Sequence, residues 1–196
     1  MLKGANGRGG DENRTGVRRL GRTIYFFDCV NDETVCDAIY LVHQLETESL
    51  KKPIQIVINS GGGGCYDGLA LYDKLRSSEC QISTIASGIV ASMAVIIFLA
   101  GDSRVITENA RLMNHQISTY LEGRITDAEI DIKETRVLEE IMLDIISDRT
   151  GRTVKVLKAE RKNGDRYISA DDSIIEGYSH EMIINKRTRR RRRKKK

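Results

Sequence analysis

IQIVINSGGGGCYDGLALYDKL, residues 54–75, carries the clearest signal of the fold class. Ile54 to Ile58 is a short β-branched run of the kind buried on both faces of a parallel sheet. Four consecutive glycines, Gly61 to Gly64, follow Asn59 and Ser60, and Asp67 to Ser77 then places Leu69, Leu71 and Leu75 at amphipathic helical spacing. The order is strand, glycine loop, helix. It recurs downstream, where QISTIA (81–86) reads as a strand, Ser87-Gly88 as a turn, and Ala91 to Ala100 as a helix apolar on nearly all sides. Such a helix belongs inside the domain.

The flanks continue the alternation. TIYFF (23–27) reads as a strand, and Asn31 to Thr47 carries Val35, Ala38, Ile39, Val42 and Leu45 at helical spacing behind an acidic first turn. SRVIT and ARLMNH are two further short strands, the second ending at His115. Thr126 to Asp148 is the longest helix, opened by a capping box, Thr126-Asp127-Ala128-Glu129, and closed at Gly151. Its apolar stripe, Ile130, Val137, Ile141 and Ile145, is flanked by Leu138, Met142 and Ile146, a face wide enough to pack against another chain as well as its own. VKVLKAE (154–160) suggests a short helix, GDRYISADDS a loop and strand, and a last amphipathic turn precedes the C-terminal tail. Strand and helix alternating throughout argue an α/β domain with right-handed crossovers.

The formal charge of +4 over 196 residues hides its distribution. Lys186 to Lys196 holds ten basic groups and no acid, and residues 1–22 hold six basic groups and two acids, so residues 23–185 carry −10. An acidic body with two basic ends argues against a nucleic-acid-binding fold as the main reading. Residues 1–21 are Gly-, Arg- and Asn-rich and read as a mobile arm, residues 22–185 as the domain, and residues 186–196 as a disordered tail able to bind phosphate backbones or an acidic partner. The longest mostly apolar run, Ile89 to Ala100, is twelve residues against the roughly 20 a membrane helix needs, so no membrane partner is expected. The N-terminus fits neither a signal nor a transit peptide, which makes a cytoplasmic location the expectation. Cys29, Cys36, Cys65 and Cys80 lack close pairing and read as reduced thiols packing mostly as small apolar residues, with no metal site.

Three residues could carry chemistry. Ser92, in SGIVASMA, stands where a strand meets the buried helix; it could serve only as a helix start, or its hydroxyl could be a nucleophile beside the unpaired amide of Met93. His115 ends an apolar strand in RLMNHQ, a place suited to a structural or a catalytic imidazole, and Asp165 in NGDRYISA could equally be a turn residue. The glycine loop lacks the lysine of a phosphate-binding loop, but its bare backbone allows a peptide to come close.

Taken in order, INSGGGG, GIVASM, MNHQ and DRYISA resemble the motifs of the ClpP family, the proteolytic subunits of Clp proteases, over about Arg22 to Ile184. The resemblance implies a crotonase-like α/β fold of repeated β-β-α units with a protruding handle helix, matched by the helix from Thr126. It implies a serine endopeptidase in which Ser92 is the nucleophile, His115 the general base and Asp165 the residue orienting it. Gly63 and Met93 would be the oxyanion donors, with Gly62 as a further backbone contact to substrate, and no cofactor would be needed. It also implies two stacked heptameric rings, unfolded polypeptide as substrate, an AAA+ ATPase feeding them, and a substrate-aligning strand at Tyr120 to Gly123. Gly61 and Ile117 stand where the family has prolines. A stand-alone maturation protease of the viral head type, a non-catalytic ring subunit, and acyl-CoA chemistry on the same fold class are the alternatives.

Overall fold

The computed structural model describes residues 15–118, 123–162 and 164–185. The polybasic tail, the first fourteen residues and most of the segment expected to align substrate (Tyr120 to Gly123) lie outside them.

An eight-stranded sheet is the frame. Strand β3 (Ile54–Ser60) alternates buried and half-buried residues and pairs in parallel with β2 (Thr23–Phe26) on one side and β4 (Ile82–Ala91) on the other. The intervening crossovers are α1 (Asp32–Glu48) and α2 (Cys65–Arg76). Helix α1 starts where its sequence dictates: the Asn31 side chain accepts from the Thr34 N–H, and the Thr34 hydroxyl accepts in turn from the Asn31 N–H.

Strand β4 departs from expectation and positions the site. Ser87-Gly88, read as a turn, lies inside a ten-residue strand. Asn59 Oδ1 accepts from the Ile89 N–H at 3.0 Å, bridging a register shift in the β3–β4 ladder, so the strand continues past Gly88 at φ 68°. Its first half pairs with β5 (Ser103–Thr107) and its last three residues, Ile89 to Ala91, with β6 (Arg111–Asn114). One strand therefore serves two neighbours and delivers its C-terminus to the helix α3 (Met93–Leu99), every residue of which is buried.

The far end of α3 is held by two arginines. Arg149 donates to the carbonyls of Leu99 and Gly101 at 2.9 and 2.8 Å, and Arg104, 4% exposed, donates to those of Tyr178, Arg149 and Gly177. Burial, with Arg149 and Arg76 nearby, lowers the Arg104 pKa to about 10.

The long helix α4 runs from Ile125 to Thr150 and ends, as expected, at Gly151 in the left-handed region. The capping box at Thr126 does not form: Arg124 takes the cap position and its guanidinium grips Asp127 at 2.9 and 3.1 Å. Only the C-terminal half of α4 is buried, through Leu138, Met142, Leu143 and Ile146, while Ile125, Ile130 and Val137 are exposed.

Four other expectations change. Val17–Leu20, placed in the mobile arm, is a strand, β1, antiparallel to β2 at the sheet edge; one buried valine beside two arginines leaves no readable alternation. ISADDS divides into the end of β7 (Arg166–Ile168) and a helix α6 (Ala170–Ile175) capped by Ser169, after α5 (Val154–Arg161). The last amphipathic turn is a strand, β8 (Glu181–Ile183), parallel to β5. Of the four thiols, all free, Cys29 and Cys36 are exposed rather than packed. Among the described residues, no helix is long and apolar enough to cross a membrane.

Candidate functional site

Ser92 sits at the junction of β4 and α3 with φ 54° and ψ −126°, the one non-glycine residue at positive φ among those described. Such a backbone costs ~1–3 kcal/mol and persists only where its surroundings over-determine it. Here they do: the Ser92 N–H donates to the Met113 carbonyl of β6 at 2.8 Å, and the Met93 side chain fills the space left by Gly68 of α2, where a Cβ would meet Met93 Cγ at 2.2 Å. Although Ser92 holds the N-cap position, its hydroxyl makes no capping hydrogen bond. The bland alternative, a serine that merely starts the helix, is therefore not how this side chain is used.

The glycine loop is pinned to Val30. The Val30 N–H donates to the Gly62 carbonyl at 2.9 Å and the Gly64 N–H to the Val30 carbonyl at 2.8 Å, which brings Gly63 opposite Val30. Gly62, at φ 92°, packs so tightly on the junction that a Cβ would stand 2.7 Å from Ser92 Cβ and 2.6 Å from the Ala91 carbonyl. Its own N–H donates to Ser60 Oγ at 3.1 Å, so Gly62 contributes proximity rather than a donor to substrate. Gly63 and Met93, by contrast, line a cavity of about 180 Å³ together with Ser92 and His115.

His115 follows the last residue of β6 and is half-buried in that cavity wall. Strand β7 runs antiparallel to β6 with Leu112 opposite Ile168, Met113 opposite Tyr167 and Asn114 opposite Arg166. One further step in that register sets position 115 against position 165. Asp165 itself is exposed, lies outside the cavity wall, and no hydrogen bond joins it to His115, or His115 to Ser92, in this conformation. Ser92, His115, Gly63 and Met93 are thus brought together, and Asp165 is brought to the adjoining strand end.

Three features were not anticipated. Asn114, 6% exposed, donates from Nδ2 to the hydroxyl of the fully buried Tyr178 at 2.8 Å, and burial pushes that phenol's pKa up. Behind β7, Glu176 accepts from Arg152 at 2.7 Å and from Arg166 at 2.8 Å, anchoring the residues beside Asp165. The third is Arg161, which reaches the cavity from α5. Its position four residues after Leu157 puts both on one helical face, a signal the sequence carried. Cys65 also lines the cavity, with its thiol pKa raised by burial.

Comparison with known protein families gives a match between this chain and the family model described as Clp protease, over residues 9–186.

Proposed function

Because the chain belongs to the Clp protease family, we propose that it is a serine endopeptidase whose Ser92, His115 and Asp165 act as a triad. Ser92 Oγ attacks a peptide carbonyl while His115 takes the hydroxyl proton; the same imidazole then protonates the leaving amine, and water repeats the sequence on the acyl-enzyme. Asp165 holds the imidazole tautomer once substrate draws the strand ends together, apo geometry at such sites commonly being loose. The N–H groups of Gly63 and Met93 receive the oxyanion, each contributing ~3 kcal/mol to the transition state.

The observation that carries this reading is Ser92 itself: a strained, uncapped hydroxyl sharing one cavity with an imidazole and a bare glycine backbone. Acyl-CoA chemistry has no use for that combination. The exposed apolar residues of α4 support assembly into rings through this helix. In this reading an AAA+ ATPase supplies unfolded chains to the chamber, and the ten basic groups of residues 186–196 bind nucleic acid or an acidic partner.

The test joins two readouts in one sample. A fluorophosphonate should label the assembled protein at Ser92, native mass should report an oligomer, and labelling should disappear in Ser92→Ala and fall by several orders of magnitude in His115→Ala. An assembled wild-type protein that never labels would rule the reading out.

A further inference from the structure

Arg161 closes α5 and is 8% exposed. Its Nη1 is the single buried side-chain nitrogen or oxygen among the described residues that lacks a hydrogen-bond partner. The acid beside it, Glu139 of α4, leaves Oε1 at 3.8 Å from Nη1, too far for a hydrogen bond, while its Oε2 accepts from Gln116 Nε2 at 3.3 Å. Burial pulls the Arg161 pKa down, with Glu139 and Tyr178 opposing it, but a guanidinium starts so high that it remains a cation near neutrality.

A buried cation with an unused donor is costly unless something supplies an acceptor. Arg161 lines the cavity holding Ser92 and His115, and on its other side a smaller one walled by Gln116, Glu139 and Glu140. The other walls of the cavity with Ser92 include Cys65, Ile96, Ile117 and Met142 and no acid, so the acid nearest the guanidinium is Glu139 on the adjoining cavity, beyond hydrogen-bond distance. The acceptor that fits is a carboxylate, matched to the guanidinium fork, on a side chain seated beside the nucleophile.

We infer that Arg161 is a specificity-determining residue, pairing with the carboxylate of an Asp or Glu side chain on the substrate residue whose carbonyl Ser92 attacks. The inference rests on the peptidase reading of this cavity. It gives the site a preference for cleavage after acidic residues, with Ile96, Ile117 and Met142 packing the aliphatic part of that side chain.

The experiment uses the full-length chain and fluorogenic peptides that differ only in Glu, Gln or Leu before the cleaved bond. Wild type should favour Glu over Gln in kcat/KM. Arg161→Met should lower that ratio by about tenfold or more, the loss of one charge-assisted pair. Arg161→Lys should retain part of the preference, and Glu139→Gln should raise it by removing the competing carboxylate. Thermal unfolding and fluorophosphonate labelling report whether each variant is folded and its serine competent.

Calorimetric binding of Ac-Ala-Ala-Glu-NH2, Ac-Ala-Ala-Gln-NH2 and Ac-Ala-Ala-Gln with a free C-terminus provides a readout independent of turnover. The first should bind more tightly than the others, and only through Arg161. Tighter binding of the third would assign the arginine to a product carboxylate and overturn the side-chain assignment. A Glu-to-Gln ratio unchanged between wild type and Arg161→Met, with labelling intact, would overturn the inference alone. Arg161-dependent binding of the first peptide without any labelling would instead sink the peptidase reading and leave the carboxylate site standing.

Discussion

Ser92 and Gly62 constrain one another, because the loop residue leaves no room for a Cβ against the serine's own Cβ and the Ala91 carbonyl. Gly62→Ala must therefore displace the nucleophile or the loop as well as adopt an unfavourable φ of 92°. We expect it to lower stability by ~2 kcal/mol and to reduce fluorophosphonate labelling at Ser92, measured by thermal unfolding and labelling rate. A variant that labels at the wild-type rate would mean the loop does not set the serine. At this scale the sequence was a partial guide. The types and order of Ser92, His115 and Asp165 were legible, and so was the need for glycine beside them. The use of Gly62's amide by Ser60 was not, since it depends on how a loop closes rather than on which residues it contains. Arg161 was missed for a related reason: a charged residue on an amphipathic helix normally reads as solvated, and only packing makes it a cavity wall.

Helices α1 and α2 are joined by Glu46, whose carboxylate accepts from Lys74 at 2.6 Å and Ser78 at 2.7 Å. Burial acts to raise the Glu46 pKa, but Lys74 and Ser78 outweigh it and the net shift is downward. A carboxyl held below its unfolded value stabilises the fold above that value, ~4.3, and loses the contribution as pH falls through the folded one. Glu46→Gln should cost ~1 kcal/mol at neutral pH and show a shallower fall in Tm between about pH 5 and about pH 3 than wild type does. Parallel Tm curves for the two proteins would show that Glu46 is not part of the acid response. Helix α4 presents the other element-scale expectation. Ile130→Glu combined with Val137→Glu should lower native mass while leaving the Tm of the separated chain within the small change typical of surface substitutions, ~0.5 kcal/mol. An assembly indifferent to both changes would move the interface elsewhere. Most elements were readable from periodicity, as for α1, β3 and the buried α3. The failures were local contests: Asn59 carries β4 past Gly88, Arg124 displaces the capping box, and β1 and β8 are strands only because an edge is there to receive them.

Across the whole molecule, charge divides along the same boundary as the family match, residues 9–186, which ends at the first residue of the polybasic tail. Deleting residues 186–196 removes ten positive charges and turns the formal +4 into −6. The truncated protein should lose salt-dependent retention on DNA and RNA columns while keeping full peptidase activity. Retention that survives truncation would place nucleic-acid affinity on the domain itself. The family match also covers residues 9–21 of the arm expected from the sequence, where Val17–Leu20 completes the sheet edge. Periodicity and motif order, local properties of the chain, were enough for the α/β class, the parallel core strands and the buried helix behind Ser92, and for singling out Ser92, His115 and Asp165 as candidates for serine chemistry. It took the folded chain to pair β4 with two successive neighbours, to bring His115 into one cavity with Ser92 while Asp165 lies at the next strand end, and to lend that cavity the buried positive charge of Arg161. Those outcomes depend on strand register, close approach and desolvation, which exist only once distant segments meet.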